Sequence, residues 1–281
     1  MHTKNVSAYV LLVVSFICAF NVHAAEINAR QVGNRIYSIA IVGEIKEGDF
    51  SQLLKTIKSE GYLPFVITIK SKEGVVNEAM KIGDFINKAL IPVTATDYCY
   101  SSCFYIWIAS IERNVVFEGL DKASVSEIDN SKVIGLHRPY FNKSYFSNLS
   151  MAEAQAKQSE LETQVRKYLE GFNVHEKWID EMMMHSSDDI RLVSRRELEN
   201  EFGFTSHAFE EWLLAKCPIK ERDLLIGQAE MVLRATRADS KKINLDAEQR
   251  NNAFHEYMKY SQCKDSAIKN SQEKTLQQIL Q

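Results

Sequence analysis

Along residues 36–140 short apolar runs alternate with amphipathic ones. Ile36–Val42 (IYSIAIV) is rich in β-branched and aromatic residues and ends at Gly43, which predicts a strand. In 49–60, Phe50, Leu53, Leu54 and Ile57 fall on one helical face. Phe65–Ile69 follows Pro64 as a short apolar strand, and 75–90 returns to helical spacing through Val76, Met80, Ile82, Gly83, Ile86 and Leu90. Pro92–Thr96 predicts the next strand, Phe104–Ile111 is an apolar run, and Val115–Phe117 and Val133–Leu136 predict two more strands. Strands alternating with helices imply an α/β fold with a mostly parallel sheet.

From about residue 150 the pattern turns helical. Leu161, Val165, Tyr168, Leu169 and Phe172 form one apolar stripe, and Ser150 with Glu153 has capping-box spacing at its start. Trp178–Met184 continues helical, and Leu192–Phe204 predicts a short strand and a short helix closed by Gly203. Residues 207–262 are helical in pattern almost throughout, with Trp212, Leu213, Leu225, Ala229, Val232 and Leu233 as packing positions. The polar stretch 264–281 predicts a frayed helix or a tail.

The chain has 281 residues, 45% of them hydrophobic, which is enough for a substantial core in one large or two small domains. A formal net charge of −3 supplies no basic field, so nucleic acid is not an expected partner. Residues 1–24 change the picture most. Lys4 gives a short positive region, Tyr9–Phe20 is apolar, and Val22-His23-Ala24 offers small or neutral residues before a cut. That is the layout of a secretory signal peptide, cleaved after Ala24; the apolar run is short for a membrane anchor. The bulky Phe16 and Ile17 before Cys18 argue against a lipoprotein cut. Loss of Lys4 leaves the mature chain at −4, with no stretch of the ~20 apolar residues a membrane span needs. The expected address is a bacterial periplasm or the exterior.

Export also removes Cys18 and leaves Cys99, Cys103, Cys217 and Cys263. Four cysteines in an oxidising compartment imply two disulfides, with three possible pairings. Cys99 and Cys103 are close enough in sequence to bridge across one helical turn, which would clamp the residues between them. A bridge between Cys217 and Cys263 would staple the C-terminal helices and contribute about 4 kcal/mol through loop closure.

Three places carry candidate chemistry. Cys99-Tyr100-Ser101-Ser102-Cys103 lies between a predicted strand and the apolar run, where a hydroxyl meets the free N–H groups of a helix start. Both serines would also serve as plain helix caps. Gly135-Leu136-His137-Arg138-Pro139-Tyr140 puts a histidine at a strand end, suited to act as general base or simply to pack. Ser71-Lys72-Glu73-Gly74-Val75-Val76 puts a glycine at a strand–helix junction, where its backbone can turn an N–H into a site or make an ordinary turn.

In their order these motifs resemble the Clp protease proteolytic-subunit and crotonase superfamily, most closely its exported bacterial Clp-protease-like branch. The matching series is Gly43-Glu44-Ile45 with Gly48-Asp49, Ser71-x-x-Gly74-Val75, Cys99-x-Ser101-x-Cys103 and Gly135-x-His137-x-Pro139, within roughly 35–205. The resemblance implies a Clp protease/crotonase-like spiral of ββα units over 25–205, followed by a helical C-terminal region over 206–281. It implies Ser101 as nucleophile, His137 as general base, and the backbone N–H groups of Gly74 and Ser102 as oxyanion hole. It points to Asp189 as the third member, with its neighbour Asp188 able to replace it. It also implies homo-oligomers. The expected function is an exported serine hydrolase of peptidase type, acting on a peptide or protein without cofactor or metal.

A silent, self-assembling scaffold or binding module is the competing expectation. Glu73 stands where the proteases have a second glycine, Tyr100 replaces a small residue, and Ser102 offers a rival hydroxyl. A crotonase-type acyl-CoA enzyme fits the fold but not an exported address. A zinc site from Cys99, Cys103 and His137 lacks a fourth ligand and competes with disulfide formation. Tyr140, Phe141, Tyr145 and Phe146 read either as one wall of a groove or, more simply, as a loop packed on the sheet.

Overall fold

The computed structural model describes residues 24–116, 131–236 and 246–281. The predicted signal peptide lies outside these residues, apart from Ala24. In chain order the elements are β1 (Glu26–Gly33), β2 (Ile36–Val42), α1 (Asp49–Glu60), β3 (Val66–Ser71), α2 (Val76–Lys88), β4 (Val93–Tyr100), α3 (Ser102–Ile108), β5 (Arg113–Val116) and β6 (Lys132–Leu136). There follow α4 (Lys143–Phe146), α5 (Met151–Gly171), α6 (Glu176–Met184), β7 (Arg191–Ser194), α7 (Arg195–Glu201), α8 (His207–Lys216), α9 (Glu221–Thr236) and α10 (Ala247–Leu280).

The fold is mixed α/β around a seven-stranded sheet, ordered β1-β2-β3-β4-β6-β7 with β5 also on β4. Strands β2 to β6 pair in parallel, while β1 and β7 are antiparallel. The two-residue period dictates the core. Tyr37, Ile39 and Ile41 of β2 and Ile67 and Ile69 of β3 point to one buried face. The central helix α3 is buried along its whole length, as the apolar run after Ser102 requires.

Strand β4 changes neighbours along its length. Val93–Thr96 pair with β5, whereas Cys99 and Tyr100 pair with Ile134 and Gly135 of β6. Between the two halves Asp97 takes a left-handed φ of 56° and forms a tight ion pair with Lys70 of β3. The second half of β4 thereby delivers Ser101 beside β6.

Glu78 of α2 supplies the cap that α1 lacks. Its carboxylate accepts the N–H groups of Gly48 at 3.0 Å and Phe50 at 2.9 Å and pairs with Lys81 at 3.0 Å. Burial opposes its charge, but these donors prevail and hold its pKa below the usual carboxylate value.

Two elements differ from the sequence expectation. β1 was not expected, because Ile27 alone of its eight residues is buried; it forms by hairpin pairing to β2. Residues 264–281, expected as a frayed helix or a tail, are helical and unfrayed, continuing α10 to Leu280. There Gln272 Nε2 donates to the Leu90 carbonyl at 3.1 Å and Thr275 Oγ1 to that of Lys88 at 3.2 Å.

The last three helices meet the body at the N-terminal end of β4. Ser206 N donates to the Ile111 carbonyl at 2.9 Å, and Lys264 pairs with Glu112 at 2.9 Å. A small cluster of Ile111, Phe209, Leu213 and Cys217 fills that junction. Gly227 lets α9 approach α10, since a Cβ there would lie 2.2 Å from Tyr257. Cys217 is bridged to Cys263, with Cα atoms 5.7 Å apart. Among the described residues no helix is long and apolar enough to cross a membrane.

Candidate functional site

The candidate residues gather at the C-terminal end of the parallel strands, opposite the C-terminal helices. Ser101 is the hinge between β4 and α3, at φ 56° and ψ −122°. A non-glycine residue there is strained, and it persists because its surroundings fix it. Its N–H donates to the Gly135 carbonyl at 3.0 Å and its carbonyl accepts from Phe104 N–H at 3.0 Å. The Cys99–Cys103 disulfide spans the same hinge, with Cα atoms 5.1 Å apart. The bridge joins a strand end to a helix rather than two positions of one helical turn.

The Ser101 side chain lines a cleft of about 740 Å³. Ser101 is 9% exposed, and among the described residues its hydroxyl has no hydrogen-bond partner. Ser102 is fully buried, with its own hydroxyl unpartnered and turned away from solvent. Of the two serines, Ser101 lines the cleft and Ser102 does not.

Gly74 borders the same cleft. It lies at φ 155°, bridged to Ile45, and a Cβ would sit 2.5 Å from the Ile45 carbonyl oxygen and Cβ. The bridge runs through Ile45 N–H to the Glu73 carbonyl and Val75 N–H to the Ile45 carbonyl. The Gly74 N–H takes no part in it.

His137 follows β6 and is 4% exposed. Its Nδ1 lies 2.8 Å from the Arg138 carbonyl oxygen. A carbonyl can only accept, so Nδ1 carries the proton and the lone pair is left on Nε2. Burial lowers the imidazole pKa below 6.5, more than the Arg138 carbonyl raises it. The ring is therefore neutral near pH 7 and in the tautomer a general base needs. Its face lies 5.6 Å from the Tyr140 ring, and Tyr140 borders the cleft. No hydrogen bond joins His137 to the Ser101 hydroxyl in this structure.

Asp189 is elsewhere. Its carboxylate meets His185 Nδ1 at 3.0 Å, one helical turn back in sequence, and its side chain is 75% exposed. The structure thus brings Ser101, Ser102, Gly74 and His137 to one end of the sheet and does not bring Asp189 to His137. Asp188 borders the cleft instead. Burial, with the nearby charges of Glu73, Asp188 and Glu44, raises the pKa of Tyr140. The sequence presents Glu44, Glu73 and Asp188 singly, with no sign that they share one cleft. They come from three separate loops, and sequence position says nothing about their convergence.

Comparison with protein-family models and with curated proteins finds no match. Among solved structures the chain is similar to a ClpP1 point mutant from Listeria monocytogenes, with 19% identity and a TM-score of 0.41. The alignment covers 60% of this chain and 88% of that one. Among the described residues no group of histidine, cysteine and carboxylate side chains could hold a metal ion. Cys99 and Cys103, candidates for such a site, are joined to each other.

Proposed function

We propose that the chain is an exported serine hydrolase of peptidase type, built on a Clp-protease-like spiral over 25–205. The observation that carries this reading is the Ser101 hydroxyl. It is held on a strained, disulfide-spanned turn, free of partners, facing a cleft it shares with Gly74. In this reading Ser101 Oγ attacks a substrate carbonyl and passes its proton to His137 Nε2. The backbone N–H groups of Gly74 and Ser102 receive the oxyanion. The adduct collapses, the leaving group takes the proton from His137, and water activated by His137 releases the acyl group. The Arg138 carbonyl orients the imidazole where a third acid is expected.

The signal-peptide pattern of residues 1–24 and the two disulfides support a bacterial periplasmic or secreted location. The motif resemblance supports self-association of the body. The helical region 206–281 serves as a brace on the far end of the sheet. The alternative, a silent scaffold, draws on the open Ser101–His137 contact and on Asp189 being engaged with His185.

A fluorophosphonate probe on the oxidised, mature protein separates the two. Covalent labelling that disappears in Ser101→Ala and in His137→Ala is the expected result. A folded wild type that does not label would overturn the hydrolase and favour the scaffold.

A further inference from the structure

The cleft before Ser101 carries an uneven charge. Among the described residues Glu44, Glu47, Glu73 and Asp188 border it, against the single cation Lys143. Glu44 is partly neutralised by Lys46 at 3.2 Å. Glu47, Glu73 and Asp188 have no ion pair among the described residues. Glu47, Glu73 and Asp188 are also solvent-exposed.

Such a rim alone could be ordinary surface. Here it surrounds a second, independent feature: Ser101, a residue about nine-tenths buried, whose unpartnered side chain lines the same cleft. The carboxylates do not converge as metal ligands would, since no three of them among the described residues could hold one ion. They are spread along the walls, on the segment after β2, the segment after β3 and the segment before β7. A spread of like charges around a groove is complemented by an extended ligand carrying several cations, not by one ion.

We propose that the cleft selects cationic peptide segments, placing Lys or Arg side chains against Glu73 and Asp188 on either side of the bond offered to Ser101. This deepens, and rests on, the hydrolase reading. It predicts discrimination by charge: basic peptides are favoured, acidic ones repelled, and salt weakens the difference because the carboxylates are exposed.

The test uses oxidised Ser101→Ala protein, which cannot turn its ligand over. Three fluorescein-labelled peptides share an Ala-Gly frame and carry a pair of Lys, Gln or Glu residues; binding is read by fluorescence anisotropy. The Lys peptide should bind about tenfold tighter than the Gln peptide, with the Glu peptide weakest. Added Glu73→Gln and Asp188→Asn substitutions should shrink the Lys-to-Gln ratio to below about threefold, as should roughly 0.5 M salt. Both positions are exposed, so the substituted protein should keep its thermal midpoint. Equal binding of the Lys and Gln peptides, binding of none of the three, or a Lys preference that survives both substitutions overturns the proposal. Fluorophosphonate labelling of wild type is run beside it. Labelling without charge preference sinks this inference and spares the hydrolase; charge preference without labelling does the reverse.

Discussion

The two disulfides lie at opposite ends of the molecule and do different work. Cys99 and Cys103 are four residues apart and bracket Ser101; Cys217 and Cys263 are 46 apart and join α8 to α10. Loop-closure entropy makes the long loop worth about 4 kcal/mol and the short one about 2. The regions differ in the same sense. The sheet around Ser101 is held by a dense core in which Tyr37, Ile39, Ile67 and Trp107 are wholly buried. In α10, by contrast, Ala253 alone is buried along 34 residues. A helix with so little core depends on a covalent tie, whereas the hinge at Ser101 already has a core beneath it. The short bridge is therefore expected to matter for geometry and the long one for stability.

The largest expected effect comes from breaking the long bridge. Cys217→Ala with Cys263→Ala should lower the stability of the C-terminal helices by about 4 kcal/mol. Hydrogen exchange should show those helices opening while β2, β3 and α3 stay protected. Fluorophosphonate labelling of Ser101 should be unchanged, because the helices meet the sheet at its other end. A loss of labelling equal to the loss of stability would erase the contrast between the two regions.

Breaking the short bridge should do the reverse. Cys99→Ala with Cys103→Ala is expected to cost about 2 kcal/mol of stability. The Ser101 labelling rate should fall on the order of 100-fold, the penalty for a reacting atom displaced by about 1 Å. Full labelling in this variant would mean that the hydrogen bonds to Gly135 and Phe104 hold the hinge unaided.

The same contrast governs what could be read from the chain. β2 and α1 were legible because their apolar residues follow periods of 2 and 3.6 and their burial obeys them. β1 was not, since EINARQVG has almost no apolar face and its place is set by β2. At the end of α10 helix and tail stayed open as alternatives, because its contacts are hydrogen bonds from Gln272 and Thr275 to distant carbonyls, which leave no periodic trace. At the candidate site, what was legible is the placement of Ser101, Gly74 and His137 just past strand ends, and the need for a glycine where a side chain would clash. The partner of His137 was not. A carboxylate near the right place in the chain says nothing about which imidazole it faces, and Asp189 found His185 four residues away.

That last point yields the smallest effect and the sharpest test of the site. A catalytic base must be neutral, so the labelling rate falls as pH drops through its pKa. Were Asp189 bonded to His137, its charge would favour the imidazolium, lift the pKa above 6.5, and move the acid limb upward. The Arg138 carbonyl carries no charge, and burial dominates, so the acid limb should lie below pH 6.5. Asp189→Asn should leave both the limb and the plateau within about twofold of wild type, as expected for an exposed side chain paired with another histidine. The two alternatives are far apart in magnitude. Replacing a true triad aspartate by asparagine traps the wrong tautomer and costs about 10⁴ in rate. An acid limb at or above pH 6.5 that shifts downward in Asp189→Asn would return the aspartate to the site. A limb below 6.5 that ignores the substitution would leave the Arg138 carbonyl as the group that orients His137.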